Sequence, residues 1–298
     1  MDPNDGYMKE KIWHLRRHLA AREPCFLGKE TVVPNTSDSS FIGNGVHPDG
    51  KAHLCADQYI LAEEIGKTFF FPKVCTKMYL GSSDLVRADE TARHLFVGMA
   101  KNYAEMVLGI DVHRTFTDNE KKILSENGLH RHVKMQGILG LREVEYKNSK
   151  GELDNGDELV SEAYNNRINP TYTGYAWMVQ KGFENDFRSE HPQKVFERGI
   201  YEPLRILLVQ DYDVLLSVSH QWNLEAITAG FVGNLGKEGN ELFNNAGGEY
   251  NLGGGFELRL FSDGNKVVDA SLRRTTIDAQ KIDQELPVNM DLLRKFHF

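Results

Sequence analysis

The sequence predicts an α/β domain built on a largely parallel sheet, and three observations carry that reading. The first is DVLLSVSHQWN, Asp213 to Asn223, an apolar run that stops at a serine and a histidine and has polar residues on both sides. A strand buried on both faces of a parallel sheet reads this way. The second is the unbroken helical stripe Leu85, Ala88, Ala92, Leu95 and Met99, which follows the strand-like segment Val74 to Leu80. The third is size and composition: 298 residues, 40% hydrophobic and 26% charged, are enough to bury a substantial core.

Taken in order, the first element is KIWHLRRH, Lys11 to His18, where Ile12, Trp13 and Leu15 form a short strand that runs into Arg16, Arg17 and His18. Two cations and an imidazole are costly to bury together unless an anion lies between them. The plain alternative is a basic strand end on the surface. His14 and His18 have the spacing of two metal ligands on one helix face, but Leu15 stands where that motif needs a glutamate, so a metal site is disfavoured. Leu19 to His53 is rich in Pro and Gly and reads as a long loop. Leu54, Gln58, Leu61 and Ile65 then recur at helical spacing, with Gly66 as the expected C-cap.

After the strand Val74 to Leu80, Ser82 to Asp84 offers an N-cap and Arg87 falls in the first turn of the helix. A helix N-terminus favours anions, so an arginine there is electrostatically misplaced unless something negative is bound. Gln193 to Leu208 is helical, and Asp213 to Asn223 supplies the central strand, with His220 at its carboxyl end, where ligands bind in open α/β sheets. A strand-terminal histidine that merely bonds a loop is the ordinary alternative. Gly247, Gly248, Gly253, Gly254 and Gly255 lack the ending of a nucleotide P-loop and read as a turn into a hairpin, Phe256 to Phe261 with Val267 to Leu272, closed at Asp263-Gly264. The tail from Asp278 is expected on the surface.

The formal charge of −8 argues against nucleic acid or an anionic membrane as partner, so an anionic substrate needs a local positive pocket. Cys25, Cys55 and Cys75 show neither C-x-x-C spacing nor an even count, and buried free thiols are expected. No apolar run approaches the roughly 20 residues of a membrane span, and a cytoplasmic location is the default expectation.

A strand ending in Arg17-His18, the pattern Tyr79-x-x-Ser82-Ser83-Asp84-Leu85-x-Arg87-Ala88-x-x-Thr91-Ala92, and a late strand ending in Ser219-His220 together resemble the histidine phosphatase superfamily, also called phosphoglycerate mutase-like. The resemblance covers roughly half the chain. It implies a three-layer α/β/α domain over residues 1–298 with a mixed, mostly parallel sheet and a cap inserted at about 111–190. It also implies a metal-independent phosphomonoester hydrolase that needs no cofactor and acts on a small phosphorylated substrate.

In the chemistry so implied, the His18 imidazole attacks phosphorus while Arg17, Arg87 and His220 hold the equatorial oxygens. The general acid is expected at Glu143, in the Leu141-x-Glu143 form, with Glu145 as the neighbouring alternative. Two positions depart from the family: Leu19 stands where it has glycine, and Gln221 replaces the glycine after the second histidine. A phosphomutase, or a phospho-ligand-binding protein impaired in turnover, are the alternative functions.

Overall fold

The computed structural model describes residues 8–19, 54, 56–69, 77–83, 85–103, 133–142, 144, 146–147, 150–154, 188, 190–233, 235, 248, 250–275 and 284–296. Its spine is a sheet of seven strands in the order β3-β2-β6-β1-β7-β8-β9. These are β1 (Lys9–Arg17), β2 (Met78–Ser82), β3 (Val133–Gly137), β6 (Val214–Ser219), β7 (Gly255–Asp263), β8 (Lys266–Thr275) and β9 (Gln284–Leu286). A separate two-stranded ribbon pairs β4 (Tyr146–Lys147) with β5 (Leu153–Asp154). β3, β2, β6 and β1 are mutually parallel, and the remaining three continue antiparallel from β1, so five of the seven strands point one way. This is the mixed, mostly parallel sheet expected, with β6, the strand read within Asp213–Asn223, inside the parallel block.

Helices α1 (Ala56–Gly66) and α2 (Val86–Tyr103) cover one face, and α3 (Pro192–Leu208), α4 (Gln221–Val232) and α5 (Met290–Lys295) the other. β1, β2 and β6 divide their side chains between two cores. Ile12, Met78, Leu80, Val214, Leu216 and Val218 pack with α1 and α2, whereas Trp13, Leu15, Tyr79 and Leu215 pack with α3 and α4. That two-sided burial is why β6 reads as a continuous apolar run rather than an alternating one. Trp13 anchors the second core, with Phe256 and Phe231 edge-on to its ring at 5.3 and 6.2 Å and its indole N–H donated to Ser217 Oγ at 2.7 Å.

Several boundaries differ from expectation. β2 continues to Ser82 because that residue still pairs with Val218 on one side and Gly137 on the other, so it is a strand residue rather than a helix cap. α2 then starts at Val86, which leaves Leu85 just outside it, while Ala88, Ala92, Leu95 and Met99 form the buried stripe as expected. Leu54 is buried but precedes α1. The tail is no surface appendage: β9 adds an edge strand, and Leu286 and Leu293 enter the core. Its polarity hid this, since a one-turn contact needs only one apolar side chain. Most of the expected cap, and Cys25, Cys55 and Cys75, lie outside the described residues.

Candidate active site at the strand ends

The site is a consequence of register. β1, β6 and β2 are parallel neighbours, and Arg17 stands opposite Ser219 while Ser82 stands opposite Val218. The three strands therefore stop within a residue of one another, and the residues just beyond them, His18, His220 and Ser83, are carried to the same edge. The ladder persists one step past the strands, with His18 N–H donated to Ser219 O and Ser83 N–H to Val218 O, both at 3.0 Å. α2 and α4 begin directly after two of these strands, so their free backbone N–H groups also lie at this edge.

His18 and His220 have ring centroids 5.2 Å apart, and both are almost fully buried. His18 Nδ1 lies 2.8 Å from the Leu19 carbonyl oxygen. A carbonyl can only accept, so Nδ1 carries the proton and Nε2 presents its lone pair. Arg87, itself 1% exposed, donates Nε–H to that Nε2 at 3.2 Å. His220 Nε2 meets Ser83 Oγ at 2.8 Å, and its buried Nδ1 has no hydrogen-bond partner among the described residues. Burial, reinforced by Arg87, the neighbouring imidazole and Arg17, holds the His18 pKa well below the ordinary value, against the small opposing pull of the Leu19 carbonyl. Burial followed by the charges of Arg87, Arg17 and Arg198 does the same to His220. Both imidazoles are thus neutral near pH 7.

Arg17 is held from its other side. Its N–H bonds Gly254 O at 2.8 Å, its carbonyl accepts from Gly253 N at 3.1 Å, and its Nη1 donates to Tyr250 O at 2.7 Å. The 250–254 segment therefore wraps this arginine, and the glycine-rich stretch acts as a collar on the strand end. Leu19 is accommodated rather than obstructive: its side chain is fully buried in the core on the α2 face. Its N–H is accepted by Thr91 Oγ1 at 3.1 Å, and Thr91 in turn donates to Arg87 O at 2.7 Å. Thr91 thereby ties the residue after His18 to the turn that carries Arg87.

Of the residues singled out in the sequence, the structure brings His18, Arg87 and His220 together and sets Arg17 close enough for its charge to act on both imidazoles. Glu143 and Glu145 lie outside the described residues, although Leu141 and Val144 on either side of Glu143 are buried. His14 sits in β1, stacked on Phe69 at 4.7 Å with Nδ1 3.7 Å from Glu257 Oε2, so the helical ligand pair with His18 does not form. Among the described residues no cluster of three His, Cys, Asp or Glu side chains has metal-site geometry, and no helix is long and apolar enough to cross a membrane. Tyr250, Arg198 and Asn223, the last two of which fix the Gly140–Arg142 turn, escaped the sequence reading, which has Ser83 within the motif but not as the partner of His220. Their partners are far away in sequence, so no local pattern marks them.

An open α/β sheet with histidines and arginines gathered at its parallel strand ends is the phosphoglycerate mutase-like fold that the sequence led us to expect. Among solved structures, the chain is similar to mycobacterial hydrolase 2, with a TM-score of 0.50 at 13% identity over 97% of this chain and 96% of that one. It is also similar to a phosphoglycerate mutase from Bacillus anthracis str. Sterne (TM-score 0.47, 14% identity, 98% and 99% covered). An α-ribazole phosphatase from Shigella flexneri is similar too (TM-score 0.44, 16% identity, 92% and 100% covered). At such identities the likeness is one of fold. No protein-family model and no curated protein matches the chain.

Proposed function

We propose that the chain is a phosphomonoester hydrolase that works through a phosphohistidine on His18 and needs no metal. The observation that carries this reading is the orientation of that ring: Nδ1–H is committed to the Leu19 carbonyl at 2.8 Å, so the lone pair of Nε2 is fixed toward Arg87. A neutral, oriented imidazole beside a guanidinium is what attack on phosphorus requires. Nε2 would bond to phosphorus as the bond to the leaving oxygen breaks. Arg87, Arg17 and His220 would hold the equatorial oxygens, whose charge the two guanidiniums match with planar forks. Glu143 would give its proton to the leaving oxygen and then take one from the water that hydrolyses the phosphohistidine. Phosphatases and mutases among proteins of this fold support the general activity. The substrate would be a small phosphomonoester, with neither nucleic acid nor a membrane as partner.

The departure at Gln221 favours a second reading, a binder of phosphorylated ligands without turnover, because a side chain there replaces a glycine at the first position of α4. Turnover of p-nitrophenyl phosphate in the presence of EDTA separates the two. We expect turnover, an acid-labile phosphohistidine on quenching, and a loss of ~10⁴ or more in His18→Ala. A His18→Ala protein that still turns over, or a phosphoryl group trapped on another histidine, removes His18 from the nucleophile role. Strict dependence on a bisphosphate would instead mark a phosphomutase.

A further inference from the structure

Three successive backbone carbonyls just beyond β3 are held by side chains from α3, the end of β6 and the first turn of α4. Arg198 Nη1 donates to Gly140 O and, at 3.1 Å, to Arg142 O. Ser219 Oγ and Asn223 Nδ2 donate to Leu141 O at 2.8 and 2.9 Å, and Asn223 Nδ2 also reaches Arg142 O. The donors are themselves locked together. Asn223 Oδ1 accepts from Arg198 Nη2 at 3.1 Å, and Glu190 takes Arg198 in a two-pronged pair, Nε to Oε1 and Nη2 to Oε2, both at 2.9 Å. Asn223 is fully buried. Shape adds to this, because a Cβ on Gly140 would lie 2.1 Å from the Arg198 carbonyl oxygen and one on Gly81 would lie 2.3 Å from Ile138 Cδ1. The turn is pressed against α3 and β2 as well as hydrogen-bonded.

Two features of this latch go beyond holding a loop down. The Arg142 carbonyl belongs to the peptide bond that leads into Glu143. Ser219 and Asn223 flank His220, by one residue and by three, on the turn that begins α4. The same few atoms thus fix the segment entering the expected acid and the segment presenting the anion-binding histidine. A half-buried, two-pronged arginine–carboxylate pair gives orientation that a lysine or an apolar contact does not.

We infer that Arg198 and Asn223, anchored by Glu190, are positioning residues that set the general acid against the leaving oxygen by bolting the Gly140–Arg142 turn to the His220 turn. This rests on the phosphohydrolase reading above. Loss of position should appear only where a proton must be delivered. Arg198→Lys keeps the positive charge near His220 but cannot make the fork to Glu190 and the carbonyls together. Its turnover of an alkyl phosphate should fall 10-fold or more, while turnover of p-nitrophenyl phosphate, whose leaving oxygen scarcely needs a proton, and vanadate affinity change less than about 3-fold. Glu143→Gln, measured in parallel, sets the full size of that selective loss. Glu190→Gln should show a smaller selective loss, and it decides the matter by the same ratio if Arg198→Lys does not fold. Equal losses on both substrates would mean that the latch only stabilises the fold, and unchanged rates on both would mean that it positions nothing; either outcome overturns the inference. A wild-type protein that hydrolyses neither substrate overturns the phosphohydrolase reading instead, so the two failures are distinguishable.

Discussion

At the scale of single residues, the most informative side chain is Arg87, because folding places it where electrostatics disfavour it. It occupies the second position of α2, against the helix dipole, and it is almost completely removed from water beside two imidazoles that burial keeps neutral. An anion arriving between these groups meets a charge whose desolvation has already been incurred on folding, which is how an electrostatic site is preorganised. Arg87→Met keeps most of the volume and removes the charge. Vanadate binding should then weaken by roughly 1.5 to 3 kcal/mol, the usual worth of a charged hydrogen bond. The His18 titration should move back toward the ordinary histidine range, because one of the charges that depress it is gone. Calorimetric titration and imidazole NMR check the two halves, and unaltered vanadate affinity would show that Arg87 serves the fold alone. His18, Arg17, Arg87 and His220 were legible in the sequence because each closes a strand or opens a helix, positions that apolar periodicity reveals. Tyr250, Arg198 and the contact of Ser83 with His220 were not, since each involves a partner that only the sheet register brings near.

At the scale of elements, the placement of α2 sets the position of Arg87, and α2 is seated on α1 by an unusually close crossing. A Cβ at Gly98 would fall 1.8 Å from the Glu63 carbonyl oxygen, and one at Gly66 would fall 1.9 Å from Leu95 O. Helix propensity alone says that Gly98→Ala should stabilise the protein by nearly 1 kcal/mol. Packing says the reverse, because backbone faces backbone and neither helix can give way without lifting the other from the sheet. We expect packing to win, with a net loss of about 1 to 3 kcal/mol in urea unfolding. A more stable Gly98→Ala protein would show that the crossing relaxes freely. The elements themselves were largely readable: β1, β6, α2 and the β7–β8 hairpin fall within a few residues of where period and punctuation put them, and α3 falls where the family resemblance put it. The misjudged pieces have a common physical cause. Ser82 continues β2 because of ladder pairs on both sides, and β9 and α5 persist because Leu286 and Leu293 reach a core built by distant strands. Local composition records neither effect.

At the scale of the whole molecule, the strand-end cluster makes folding stability depend on pH in a direction that can be worked out. His18 and His220 both have folded-state pKa values depressed by burial and by the arginines around them. On acidification below about 6.5 the unfolded chain therefore binds protons at these two positions before the folded protein does, and stability falls with pH; above that value both states are neutral there and the contribution is flat. Each such proton difference tilts the stability curve by at most about 1.4 kcal/mol per pH unit. Asp211, whose carboxyl burial pushes up but the combined hydrogen bonds and charges of Lys11 and Lys9 hold below the ordinary value, titrates at lower pH and leaves the window between pH 5 and 6.5 to the histidines. We expect the wild type to lose stability steadily across this window in urea unfolding. A His18→Asn, His220→Asn double variant should show a distinctly shallower slope. Sulfate, which keeps its charge at these pH values, should raise stability at every pH by exclusion from the surface. An anion seated between Arg87 and the imidazoles should in addition favour their protonated forms, so sulfate should flatten the slope of the wild type relative to chloride at equal ionic strength. The double variant should show the general gain without the change of slope. Parallel curves for wild type and double variant would mean that the two imidazoles are not the depressed pair, and a sulfate effect identical in both proteins would mean that no anion is held at the strand ends.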